Sequence, residues 1–341
     1  MKVEELLKGI KYVMPGVDQA QIVSEGADLI TFEGQWVRSY DGRLSVSYPL
    51  ETGLACSVLG KPLYDLLTKL GGGNVRMILE GDQFQLKGAG KKLTLQVVQR
   101  DLDQDIFDLS RVDFSPLPKD FINGVGLCFF SVAKDPTLGP LTGMYIEGKM
   151  ILASDNFRIS HYEMEGEIQG PVILPYECIS YVTKMEGISE VAVDAPSWIH
   201  FRNEDGITLS SRLVSGEYRK DGILKILGVE KVGKYVFPDG LADAVTRAKV
   251  VGYEDSYDNP MVLLRREGKQ LVVVGQKKGV GEYEERISWD SDFPEDGRME
   301  MHPDFLMKGL KITESFFVDK AGKFAIFTGK NFEHLEITKI G

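Results

Sequence analysis

The sequence predicts an α+β fold of six helix-plus-hairpin half-units, paired into three tandem domains. Three observations predict it. One strand–turn–strand phrase is used three times: Leu29–Tyr48 (LITFEGQWVRSYDGRLSVSY), Leu141–Tyr162 (LTGMYIEGKMILASDNFRISHY) and, in part, Met261–Val274 (MVLLRREGKQLVVV). Six amphipathic helix windows start at 3, 61, 118, 175, 239 and 302, a nearly even spacing. The turns keep register with these starts. A Glu-Gly turn follows the first, third and fifth starts at offsets of +31, +30 and +29, and each of the other three starts is followed by a turn at +20, on Gly81, Ala195 and Gly322. A period held along the whole chain marks a repeated unit. Pairing long and short half-units gives domains 1–115, 116–233 and 234–341. Amphipathic helices alternating with hairpins place sheets on one side and helices on the other.

Each element has a local reason. Residues 3–13 (VEELLKGIKYV) carry Leu6, Leu7, Ile10 and Val13 on one helical face. Residues 61–70 carry Pro62 in the first turn and stop at Gly71-Gly72-Gly73. Val75–Val97 reads as strands separated by turns at Glu80-Gly81-Asp82 and Gly88-Ala89-Gly90. Asp101–Pro118, polar with two prolines near its end, reads as a linker, and Lys225–Val236 as a second linker. Helices are expected over 118–130, 175–185, 239–250 and 302–312. Hairpin turns are expected at Glu147-Gly148-Lys149, Asp194–Ser197, Glu204-Asp205-Gly206, Lys320-Ala321-Gly322 and Gly329-Lys330-Asn331.

Composition narrows the function classes. With 43% hydrophobic and 27% charged residues, the 341-residue chain reads as soluble and globular. No apolar run approaches the roughly 18 to 20 residues of a membrane span, and the N-terminus MKVEELLKGI does not read as a signal peptide. Cys56, Cys128 and Cys178, three and far apart, suit buried thiols in a reducing cytoplasm. A net charge of −11 argues against coating nucleic acid over the whole surface but leaves room for one basic face.

The residues point away from catalysis, and no catalytic residue, metal ligand or cofactor is assigned. Gly88-Ala89-Gly90-Lys91-Lys92 lacks the spacing of a phosphate-binding loop and sits between strands. His161, His200, His302 and His334 are isolated, without metal-ligand spacing. Asp41 and Asp155 occupy equivalent corners of two copies of the repeat, where turn capping explains both.

Three runs carry a resemblance. Leu141-Thr142-Gly143-Met144 with Ala153-Ser154-Asp155-Asn156-Phe157-Arg158-Ile159 is one, Ser211-Arg212-Leu213-Val214-Ser215-Gly216-Glu217-Tyr218 the second, and Val172-Ile173-Leu174-Pro175 the third. In these runs and in its three-domain plan, the chain resembles the bacterial sliding clamp family, the beta subunit of DNA polymerase III, as a divergent or phage member. It departs from the family pattern at Asn156-Phe157 in the corner, at Arg219, and at the C-terminal Leu335–Gly341.

The resemblance implies a non-enzymatic processivity factor. Two chains would close head to tail as a homodimeric ring around double-stranded DNA, with sheets outside and helices lining the hole. DNA polymerase and a clamp loader would be the partners. The helix windows fit such a lining. Four are neutral and those at 61–70 and 302–312 are +1, so they hold +2 while the remainder of the chain holds −13. Few, sequence-independent phosphate contacts let a protein slide. The candidates are Lys8, Lys11, Lys69, Lys184, Arg247, Lys249, Lys308 and Lys311. Cations on the exposed face of a helix are also the ordinary surface pattern, so the assignment is collective. The resemblance further implies a pocket for partner peptides, carried over to Leu141, Ser154, Phe157, Arg158 and Ile159, to Leu224 or Ile226, and to Leu335 and Ile337. A rival reading is a clamp-like scaffold that docks peptides without encircling DNA.

Overall fold

The computed structural model describes residues 1–18, 26–88, 90–99, 108–252, 261–277, 279–295 and 297–340. Residues 101–107 of the expected linker and Ala89 of an expected turn lie outside them.

The chain opens with α1 (Val3–Val13), which buries Val3, Leu6, Ile10 and Val13. Burying such a face is worth about 1.5–3 kcal/mol per large apolar side chain. Strands β1 (Leu29–Glu33), β2 (Trp36–Tyr40), β3 (Leu44–Pro49) and β4 (Ala55–Leu59) follow. Next come α2 (Gly60–Leu70), β5 (Arg76–Glu80), β6 (Gln83–Gly88) and β7 (Lys91–Gln96). The middle of the chain holds β8 (Ser115–Pro116), α3 (Phe121–Cys128), β9 (Gly143–Ser154), β10 (Arg158–Pro175), α4 (Tyr176–Val182), β11 (Ile188–Asp194), β12 (Trp198–Asn203) and β13 (Thr208–Arg212). Then come α5 (Lys220–Leu227), β14 (Lys231–Val236), α6 (Leu241–Gly252), β15 (Val262–Glu267), β16 (Gln270–Lys277), β17 (Gly281–Ser288) and β18 (Arg298–Met301). Helix α7 (Pro303–Ile312) leads into β19 (Ser315–Asp319), β20 (Phe324–Gly329), β21 (Phe332–Ile337) and β22 (Lys339–Ile340).

Every expected helix window contains a helix, two of them shortened. In the window 118–130, α3 begins at Phe121 and gives way to a 3-10 turn over Phe129–Ser131. In the window 175–185, α4 covers only Tyr176–Val182. Gly34 and Gly268 turn between β1 and β2 and between β15 and β16, at φ of +61° and +57°; Gly148 has the same conformation, φ +58°, but the hairpin turn expected at Glu147-Gly148-Lys149 falls inside β9, which runs from Gly143 to Ser154 as one strand. That is the left-handed region, which a residue without Cβ enters freely. The second expected linker is corrected. Residues 225–236 hold the end of α5 and all of β14, which pairs with β19 from Lys231↔Asp319 to Val236↔Ser315.

The chain forms two compact units, Met1–Ile122 with Ile168–Ser215, and Asn123–Glu167 with Gly216–Gly341. The first unit holds an eight-stranded sheet, β4-β1-β2-β3-β13-β12-β11-β8, and a three-stranded sheet, β5-β6-β7. The eight-stranded sheet joins sequence-distant halves through β3 and β13, in register Leu209↔Val46. The second unit holds a six-stranded sheet, β14-β19-β20-β21-β10-β9, and a five-stranded sheet, β17-β16-β15-β18-β22. There β10 pairs with β21, Ile159↔Leu335. Its core includes Phe237, Val245, Leu264, Trp289, Phe293 and Phe327, with Phe237 stacked 4.3 Å from Phe316.

Candidate functional site

The corner between β9 and β10 is built by one carboxylate. Asp155 Oδ1 accepts hydrogen bonds from the backbone N–H groups of Phe157 and Arg158, both at 3.1 Å, and Oδ2 accepts from Arg158 Nε at 2.7 Å. Asn156 sits at φ +74°, which a short polar side chain tolerates. The sharp turn leaves Phe157 51% exposed while Ser154 and Ile159 on either side are buried. A large aromatic ring held in water by a capped turn is unusual packing for a core residue, and it offers an anchor surface.

Arg158 is locked on several sides. Its guanidinium lies 3.6 Å from the centre of the Phe305 ring and 5.5 Å from that of Phe130. Its cross-strand partner is Glu336, which is fully buried. Burial pushes the Glu336 carboxyl well above the usual carboxylate range, so the neutral acid is favoured. A further wall comes from α5. Tyr218 stacks on Tyr145 at 5.1 Å and donates from its hydroxyl to the Leu152 carbonyl at 3.4 Å, and Lys220 pairs with Glu147 at 2.7 Å. These contacts fix the start of α5, which presents Ile223 and Ile226 to the groove.

The result is a cavity of about 260 Å³ inside the second unit. The structure brings Leu141, Ser154, Phe157, Arg158, Ile159, Ile226, Leu335 and Ile337 together around it. Leu224 is not in the lining; it lies on α5 and is 37% exposed. Sequence reading missed Asn156, Arg219, Gly222, Ile223 and Phe324. The i, i+3 spacing of Ile223 and Ile226 was the available signal for α5, and taking 225–236 as linker hid it. The site is a mostly apolar groove with two arginines, one paired and one, Arg219, exposed at the start of α5.

The cationic candidates divide. In the first unit Lys8, Lys11, Lys69 and Lys184 are exposed. Of these, Lys8, Lys11 and Lys184 line one cavity of about 440 Å³. In the second unit Lys308 and Lys311 are exposed on α7. The other two candidates are engaged with carboxylates. Arg247 grips Glu285 with two bonds of 2.9 and 2.8 Å, and Lys249 donates to Asp304 at 2.5 Å.

The remaining polar residues do structural work. Asp41 Oδ1 accepts from the N–H groups of Arg43 and Leu44 at 2.8 and 2.7 Å, repeating the Asp155 corner without its ion pair. His302 Nδ1 caps α7 by accepting from Asp304 N at 3.2 Å. His200 and His334, each bonded to a serine hydroxyl, are buried, which lowers them to about 4 and about 3. Burial pushes the thiols of Cys56 and Cys178 up to about 11 and about 12, and that of Cys128 higher, which disfavours the reactive thiolate. Among the described residues no group of His, Cys, Asp or Glu could hold a metal ion, and no helix is long and apolar enough to cross a membrane.

The chain has the fold of a sliding clamp. The likeness is to solved structures of the DNA polymerase III beta subunit, and it runs the full length of both chains. The subunit from Pseudomonas aeruginosa shares 18% identity at a TM-score of 0.77, over 99% of this chain and 98% of that one. The sliding clamp from Caulobacter crescentus shares 15% at 0.79, and the sliding clamp from Bartonella birtlesii bound to griselimycin 17% at 0.82, each with the same coverage. No protein-family pattern matches the chain, and no curated protein matches its sequence.

Proposed function

We propose that this chain is a DNA sliding clamp: a cytoplasmic, non-enzymatic processivity factor of three domains, 1–115, 116–233 and 234–341. Two copies close a ring around duplex DNA, and a groove on each tethers DNA polymerase and the clamp loader. The observation that carries the reading is the capped corner at Asp155, which holds Phe157 out beside an apolar groove in a chain of full-length clamp fold. Tethering raises the effective concentration of a polymerase at the primer end without any new catalytic group.

Ring closure has a specific candidate. Within the chain, β3 pairs with β13 and β10 with β21, in each case the last strand of one hairpin set against the last of another. Strands β17 and β7 are the corresponding strands of the two remaining sets, and each is an outer strand of its sheet. Strand β17 carries Glu282, Glu284, Glu285 and Arg286, and β7 carries Lys91 and Lys92. Glu284 and Glu285 already pair with Arg286 and Arg247 of their own chain, so it is the unpaired backbone of the two outer strands that makes β17 of one chain and β7 of a second natural partners.

The test is the solution mass by light scattering at micromolar concentration and moderate salt. A value near twice the chain mass of 38.0 kDa is expected. Loading onto nicked circular plasmid should then give a complex that survives until the plasmid is linearised. A monomer at all concentrations would leave the second reading, a scaffold that docks peptides without encircling DNA. The engagement of Arg247 and Lys249 by Glu285 and Asp304 favours that rival, because it removes two cations from phosphate contact.

A further inference from the structure

The cavity of the first unit is larger than the peptide groove and unlike it in chemistry. Its rim carries Lys8 and Lys11, one turn apart on α1, and Lys184, just beyond α4. None of the three forms an ion pair among those found in the described residues, and Lys184 donates to Ser180 Oγ at 3.3 Å. Behind the rim stand Tyr12, Tyr181 and Met185. Tyr12 is held by stacking on Tyr48, with ring centres 5.4 Å apart. The floor includes Val46 and Leu209, which are cross-strand partners in the middle of the eight-stranded sheet. One carboxylate, Glu186, joins the lining.

Phosphates of a duplex need only the lysines; they have no use for an apolar chamber of about 440 Å³ behind them. A peptide strand would need a free backbone edge, and at the floor that edge is consumed by the β3–β13 pairing. Aromatic walls behind a cationic rim are the chemistry of single-strand binding, where bases stack on rings and the backbone follows the positive charge. Bases in a duplex are already stacked and cannot enter. We therefore propose that this cavity takes an unpaired nucleotide, its base against Tyr12 and Tyr181 and its phosphate at Lys8, Lys11 and Lys184, so that the chain distinguishes a single-stranded stretch from duplex. The proposal rests on the clamp reading, which brings DNA to these helices.

The test is fluorescence anisotropy with 5′-fluorescein octathymidylate and with a blunt duplex of the same length, on the full chain. Tyr181→Ala should weaken the octamer fivefold or more, the lower end of base–aromatic stacking, and leave duplex binding unchanged. Tyr181→Phe, which keeps the ring, should stay within twofold for both. Lys11→Ala should weaken both and flatten their salt dependence. Photo-cross-linking with a bromodeoxyuridine octamer gives a readout on the unmodified chain, and the adduct should map to Tyr12, Tyr181 or Met185. The proposal is overturned if the octamer binds no better than the duplex, if Tyr181→Ala lowers both equally, if the adduct maps elsewhere, or if an acidic peptide displaces the octamer from the cavity. Failure of the clamp reading looks different: a monomer not retained on circular DNA refutes that reading, whereas a retained dimer indifferent to Tyr181 refutes only the nucleotide site.

Discussion

Replacing Asp155 by alanine removes three bonds at once: two backbone N–H groups lose their acceptor, and Arg158 loses its carboxylate. The ion pair is well shielded, with both side chains 12% exposed. Hydrogen bonds to a charged acceptor contribute about 1.5–3 kcal/mol each, and breaking a buried pair costs about 3–5 kcal/mol because a charge is left behind. The stacking of Arg158 over Phe305 survives, so a net loss of about 3 kcal/mol is expected. The repeat supplies its own control. Asp41 caps the equivalent corner through two backbone bonds without an arginine ion pair among the described residues, and the bond from Arg43 lies open to water, which discounts it, so Asp41→Ala should cost about 1–2 kcal/mol. Urea unfolding of both variants, followed by calorimetry, measures the difference. Equal destabilisation by the two substitutions would refute the claim that Arg158 is held by Asp155, and with it the account of how the groove is shaped.

Other consequences follow from neighbouring residues. Phe157→Ala should leave the melting temperature within about 1 °C, since the ring is half in water, yet weaken a heptapeptide selected on the wild-type chain from a random display library by tenfold or more. Glu336 is favoured as the neutral acid when folded but ionises at about 4.3 when unfolded, so it costs stability increasingly as pH rises above that value. Glu336→Gln should therefore raise the melting temperature at pH 8 and change it little at pH 4, as a calorimetric pH series would reveal. Transferring the β10–β21 register to the proposed ring contact would set Glu284 opposite Thr94 of a second chain. A Glu284→Cys, Thr94→Cys double variant should form an interchain disulfide on mild oxidation, visible as a dimer band on non-reducing gels; a band absent from an otherwise dimeric protein would reject that register.

What the sequence made legible was local. The face of α1, the stop after α2 at Gly71, the Glu-Gly turns at Gly34 and Gly268 and the Asp155 corner all depend on residues a few positions apart, and their side-chain chemistry announces them. Helix α5 was hidden because Gly222, Gly228 and Gly233 punctuate its neighbourhood, and its start is fixed by Tyr218 stacking on Tyr145, a contact between distant parts of the chain. The groove residues were legible through a resemblance tied to the corner run, but Ile223 and Arg219 were not, because α5 was not. Charge counting in helix windows had the same limit. It counted Arg247 among the cations of the window 239–250, whereas the partner that occupies it, Glu285, lies on β17. Strand pairing was least legible of all, since β3 and β13 are joined by backbone groups that every residue carries.

That last pairing has a consequence for how the protein is made. The first unit is discontinuous, and β3 has its outer edge covered only when β13 arrives, much later in translation. A nascent chain halted after β3 but before Thr208 carries that strand with a bare row of backbone donors and acceptors, the template for association with other incomplete chains. Synthesis of the middle of the chain is therefore expected to pass through a stage in which the β3 edge is uncovered. A stop codon or a cleavage site placed between 50 and 208 should yield insoluble fragments rather than a folded first unit.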